Sequence, residues 1–198
     1  MKKTRLEAFS DGVLAIIITI MVLEIKVPHG VLFSDLEGLI PIFLSYALSF
    51  IYIGIYWNNH HHLVSTVHVV TGGILWANLH LLFWLSLIPY ATGWVGENHF
   101  AAAPMALYGF VLLMAGIAYY ILQHCIIKNE GKDSLLAKAI GKDLKGKISP
   151  FLYLTAIALS WLNSIVSGII YFIAALIWLI PDKRIERTVR QNKDASDA

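Results

Sequence analysis

From residue 27 to residue 127 the chain contains no lysine and no arginine. Charged side chains make up only 14% of its 198 residues, where a soluble domain carries about a quarter. That scarcity excludes a basic surface able to follow phosphate backbones over most of the length, and nucleic acid is not an expected partner. There is one cysteine, Cys125, inside an apolar run. An internal disulfide is therefore impossible, and no redox compartment is indicated. No Ser-His-Asp pattern, P-loop, GxGxxG, HExxH or cysteine pair occurs, so there is no catalytic residue to name, no metal site and no cofactor to expect. A TVGYG-type carbonyl filter is also missing. No internal repeat is visible. The first apolar segment is too long for a signal peptide and lacks a small-residue cleavage site.

What the chain does have is length of apolar sequence: 58% hydrophobic residues and a mean hydropathy of +0.67. Apolar runs of about 20 residues fall at 9–27, 39–58, 73–92 and 102–127. A fifth run, 150–180, has 31 residues without a charge. Fourteen of the fifteen basic residues lie in three segments: Lys2 to Arg5, Lys128 to Lys147, and Lys183 to Lys193. The fifteenth is Lys26. The positive-inside rule places all three segments in the cytoplasm. Four crossings return the chain to that side at Lys128, so 150–180 must cross an even number of times. A hairpin turning near Trp161-Leu162-Asn163-Ser164 satisfies this, with arms of about 15 residues, short for a span. The expectation is an all-α, multi-pass plasma (inner) membrane protein. It forms a single six-helix domain over 1–198 in the lipid bilayer with both termini cytoplasmic, a Lys-rich cytoplasmic loop at 128–147 whose charge is read as cytoplasmic retention ahead of contact with anionic lipid, and a basic tail at 181–198.

The first segment carries the most unusual chemistry. Asp11 and Glu24 bracket twelve uncharged residues, and ionisable groups at the edges of such a segment are costly and usually functional. At 100° per residue, Gly12, Ile16, Thr19, Ile20 and Leu23 form one stripe, and Asp11 points about 140° away from Ile16. By itself an aliphatic stripe faces lipid or packs in a core. Arg5, the His60-His61-His62 cluster, Asn78, His80, Trp57 and Trp76 are candidate partners for Asp11. Ser10 and Asp11 also suit a helix cap. Glu24 either concentrates cations at an outer mouth or pairs with Lys26.

Arg5-x-x-x-Phe9-Ser10-Asp11-Gly12, continuing through Ile16 and Thr19 to Leu23-Glu24, resembles the signature of the transmembrane protein 175 family of potassium channels. Further matches follow in order: Tyr56-Trp57-Asn58-Asn59-His60-His61, Trp76-Ala77-Asn78-Leu79, Ile88-Pro89-Tyr90 and Trp178-Leu179-Ile180-Pro181-Asp182. Vertebrate members hold two six-helix repeats, whereas this chain holds one, like the prokaryotic form. The resemblance implies a homotetramer whose four first helices line a central pore. The constriction would be aliphatic: Ile16 at the narrowest layer, Ile20 and Leu23 at the next two, and Thr19 as a polar pore position. Monovalent cations would pass, K⁺ favoured weakly over Na⁺, because K⁺ sheds water at lower cost. Arg5, Ser10 and Asp11 would join His60, His61, Trp76 and Asn78 in a polar network that fixes the rotation of the first helix.

Adjacent histidines on a helix diverge by about 100°, so His60, His61 and His62 cannot all ligate one ion. A hydrogen-bonding role is the better reading. Asp11 with Asn78 and His80 would instead suit an intramembrane proton relay. That is the competing reading, a proton-permeable channel or proton-coupled secondary transporter.

Overall fold

A computed structural model describes residues 2–131, 134, 136–137 and 144–179. Six helices fill it. They are α1 (Lys3–Leu23), α2 (Ile40–Ser65), α3 (Gly72–Glu97, in two halves, Gly72–Ser86 and Ile88–Glu97), α4 (Ala102–Glu130), α5 (Leu144–Leu159) and α6 (Ser164–Leu179). The helices α1 to α4 are long and apolar enough to cross a membrane. The long uncharged run is a hairpin, with α5 and α6 meeting at a turn over 160–163. Each of these helices has 16 residues, about 24 Å at 1.5 Å per residue, less than a hydrocarbon core of about 30 Å. The Lys-rich segment lies largely outside the described residues, and the basic tail entirely so.

Several boundaries differ from the sequence expectation for physical reasons. The first helix starts at Lys3, because Leu6, Ser10, Leu14, Ile17 and Met21 are spaced three or four apart and form one buried stripe. Charged residues in the first turn, the exposed Arg5 and the half-buried Lys3, lie off that stripe and do not interrupt it. Ser10 and Asp11 are therefore inside the helix, two turns past its start, and neither caps it; the residue preceding the helix is Lys2, with no side-chain cap bond. Helix α2 runs past Asn58 to Ser65, so the three histidines are helical. Helix α3 breaks at Leu87 because Pro89 supplies no backbone N–H. It then continues to Glu97.

Ends of helices are tied in pairs. The Lys3 ammonium donates to the Ser65 carbonyl at 2.5 Å, joining the start of α1 to the end of α2. His68, in the α2–α3 connection, meets Glu130 at the end of α4 at 2.7 Å. At the opposite end of the bundle Lys26 bonds Glu97 at 2.7 Å. Helix α1 packs on α2 and on both halves of α3, while α4 is gripped by α3 and α5. Between α3 and α4, His99 (φ 48°) and Phe100 (φ 59°) make a tight left-handed turn, costly for residues with side chains.

The core buries hydroxyls as well as aliphatics, and each bonded one removes a donor that lipid cannot satisfy. Ser49 Oγ lies 2.7 Å from Thr92 Oγ1 and 2.9 Å from the Tyr108 hydroxyl. The Tyr52 hydroxyl donates to the Tyr171 carbonyl at 2.6 Å, and the Tyr171 hydroxyl donates to the Met105 carbonyl at 3.0 Å. Gly109 makes room for this last bond: a Cβ there would overlap the Tyr171 hydroxyl and come within 2.8 Å of Ile157 Cγ1. Gly109→Val should lower stability by about 1–3 kcal/mol through overpacking. Gly54→Ala, with nothing within 4 Å, should leave it unchanged or slightly raised. Thermal midpoints in one detergent check the pair; equal midpoints would remove the Gly109–Tyr171 contact from the list of stabilising features.

Candidate functional site

Helix α1 has two faces with opposite fates. Its buried stripe is held by a polar chain across three helices. Ser10 Oγ donates to the Leu6 carbonyl at 2.9 Å and accepts from Asn78 Nδ2 at 3.0 Å. Asn78 Oδ1 lies 2.7 Å from His60 Nε2. An amide oxygen only accepts, so His60 carries its proton on Nε2. Ser10, Asn78 and His60 are all buried, at 0%, 0% and 3% exposure. Asp11, one residue round the helix from Ser10, accepts instead from the Trp57 indole N–H at 3.0 Å on the outside of the protomer.

Other residues expected in this network stand apart from it in the protomer. Arg5 and Trp76 are exposed, and His61 is exposed with its ring against that of His62 at 5.6 Å. His80 receives the Trp84 indole N–H at 3.0 Å. Asp11, Asn78 and His80 thus bond different partners and do not form a continuous relay.

The other face of α1 is uncovered. Gly12, Ile16, Thr19, Ile20 and Leu23 are all exposed, Ile16 at 60% and Leu23 at 75%. Ile16 and Ile20 line an open groove of about 520 Å³ between α1 and the second half of α3, with Tyr90, Gly93 and Trp94 opposite. The Thr19 hydroxyl donates to the Ala15 carbonyl at 2.9 Å. Its proton is engaged within the helix, which leaves the lone pairs of an exposed hydroxyl as acceptors.

At the far end of the groove lie two carboxylates. Glu24 leans over Gly93, its Oε2 4.0 Å from where a Cβ would sit. Glu97 binds Lys26, whose pKa is raised above the ordinary amine value by that hydrogen bond and by the Glu97 charge. Lys26 therefore pairs with Glu97 across the groove and not with Glu24. Glu97 was not singled out from the sequence. Its signal was its rarity, since only Asp35, Glu37 and Glu97 are acidic between Lys26 and Lys128.

Residues 5–89 match the family model for the endosomal/lysosomal potassium channel TMEM175. A Chryseobacterium sp. (strain P1-3) protein named a potassium channel is 58% identical over 192 residues, 97% of this chain and 100% of that one. The Gallus gallus endosomal/lysosomal proton channel TMEM175 is 36% identical over 103 residues, which is 46% of this chain and 21% of that protein. The crystal structure of a lysosomal potassium-selective channel TMEM175 homolog from Chamaesiphon minutus superposes with a TM-score of 0.78 at 32% identity, covering 91% of this chain and 97% of that one. Near-complete coverage of both bacterial proteins, at these identities, carries the motif read between Arg5 and Gly12 over the whole six-helix fold, and the chain belongs to the TMEM175 family of ion channels.

Proposed function

We propose that this chain is a K⁺-conducting leak channel of the plasma (inner) membrane, built from four copies with α1 helices around the central axis. The observation that carries this reading is the uncovered α1 face. Four side chains at pore-lining spacing, with Gly12 beside them, are left without cover by the other helices, while the opposite face is locked by buried hydrogen bonds. A helix free to face lipid needs no such rotational lock, because any apolar side serves there. In the tetramer Ile16 makes the narrowest layer, with Ile20 and Leu23 above it. The narrow neck excludes water when closed. When it is open, the ion gives up part of its hydration. K⁺ does so at lower cost than Na⁺, and the outward lone pairs of Thr19 return part of the loss. Selectivity is therefore modest. Glu24 at the mouth raises the local cation concentration, whereas the charge of Glu97 is balanced by Lys26.

Both termini lie in the cytoplasm in this reading. The Lys3–Ser65 and His68–Glu130 contacts mark the inner end, and Lys26–Glu97 marks the outer. Asp11 with Trp57, and the exposed Arg5, His61 and Trp76, lie where neighbouring copies meet and fix assembly.

The experiment is cation flux from liposomes holding purified protein. K⁺ should leave down its own gradient faster than Na⁺, with equal pH on both sides. Flux that appears only when a proton gradient drives it would establish the proton-coupled reading in its place, and acidification without K⁺ flux would establish a proton channel, as the Gallus gallus relative is named.

A further inference from the structure

We infer that a second cavity, away from α1, binds the headgroup of an anionic phospholipid. It has a volume of about 300 Å³ and lies between α2, α4, the first half of α5 and the last turn of α6. This is the basic end of the bundle, where α4 leads into the lysine-rich segment.

Its wall is aromatic. The Tyr119 ring packs edge-on against Tyr56 at 6.2 Å and Trp178 at 6.4 Å. Trp178 is fixed by its indole N–H, which donates to Ser149 Oγ at 2.7 Å. Aromatic side chains of this kind sit at the headgroup level of a bilayer.

The cavity also holds polar groups that have no partner among the described residues. The Gln123 side chain is only 8% exposed and lines the cavity. Among the described residues it makes no side-chain hydrogen bond, and neither does the Tyr56 hydroxyl beside it. Buried polar groups in membrane proteins are almost always bonded. Both open onto one cavity, where a ligand atom that accepts can reach the Gln123 amide N–H and the Tyr56 hydroxyl. Lys147 lines the same cavity, exposed and paired with no carboxylate among the described residues.

An amide N–H, a phenol O–H and an ammonium together select an anion. An aromatic wall alone would also suit a quaternary ammonium, but Lys147 repels one. The deeper lining is apolar: Leu113, Ile117 and the bare backbone of Gly116 leave a track for an acyl chain. Basic pockets between membrane helices on the cytoplasmic side hold phospholipid headgroups by this combination.

The test uses the delipidated full chain in detergent, with bound lipid counted by native mass spectrometry and thermal midpoints read in parallel. Phosphatidylglycerol should bind at least about tenfold tighter than phosphatidylcholine, the value of one charge-assisted bond. Lys147→Gln should erase that preference, and Gly116→Phe should abolish retention of both lipids. Gly116→Ala, whose Cβ meets Tyr153 and Tyr56 at 3.9 Å, should bind as the parent does. Lys147 is on the surface, so its variant reports even if Gly116→Phe fails to fold. Equal binding of the two lipids overturns the proposal, as does unchanged phosphatidylglycerol binding in Lys147→Gln. Full protection by inorganic phosphate alone would assign the site to a free anion and overturn the lipid. Binding is read without ion flux, so its failure is distinct from failure of the permeation reading.

Discussion

Ile16→Asn should raise K⁺ conductance about tenfold and bring the K⁺ to Na⁺ ratio close to one. The expected size follows from the barrier. In the proposed tetramer a ring of four isoleucines would offer a partly dehydrated ion no ligand, and the neck would be the highest point on the path. Four carboxamides in its place keep water in the neck and supply carbonyl oxygens. Lowering the barrier by about 1.4 kcal/mol is a tenfold change in rate. Selectivity falls by the same cause, since an ion that keeps its water is no longer sorted by the cost of losing it. Ile16 is 60% exposed in the protomer, so the substitution removes little packing within a chain and the subunit should fold normally. Single-channel recording or liposome flux with both cations measures the two quantities together. Unchanged conductance and selectivity would move Ile16 off the conduction path. A rise in Na⁺ and K⁺ flux at Leu23→Asn alone would shift the narrowest layer outward along the same stripe.

The fold was legible where periodicity and charge placement act over long stretches. The lysine-free interior and three basic clusters called for an even number of crossings after Lys128, and the hairpin expected there is present as α5 and α6, each shorter than a usual span. Helix ends were less legible. Charged first-turn residues hid the start of α1, and the polar run Asn58 to His62 hid seven further residues of α2, 59–65, because both stretches are helical without being apolar. The site was legible in its types and not in its pairings. Ser10, Asn78 and His60 can be named from their rarity in apolar helices, but which of them meet depends on how three helices cross. The same holds for Lys26, whose nearest acid in sequence is Glu24 and whose partner in space is Glu97. The Gln123 cavity had no sequence signal, since one glutamine among histidines and lysines near a helix end reads as surface.

Asn78→Leu should be the most damaging substitution to folding among those that leave the aliphatic stripe intact. Asn78 is fully buried and bonds α1 and α2 at once, giving its N–H to Ser10 and its oxygen to the His60 N–H. Leucine has a similar volume, so no cavity opens, and the cost is electrostatic. His60 Nε2–H, 3% exposed, is left in an apolar interior with no acceptor, a penalty of about 1–3 kcal/mol. Losing the bond to Ser10 adds about 0.6–2 kcal/mol, the range for interhelical bonds in membranes. Together these amount to about 2–5 kcal/mol, enough to unfold a large part of a marginally stable protein. Thermal unfolding in detergent measures it. The double variant His60→Leu/Asn78→Leu removes the orphan along with its partner and should recover stability relative to Asn78→Leu alone, a coupling of about 1 kcal/mol or more. Purely additive losses would mean that the three groups act separately, and the rotation of α1 would then have to be fixed by its aliphatic contacts with α2 and α3.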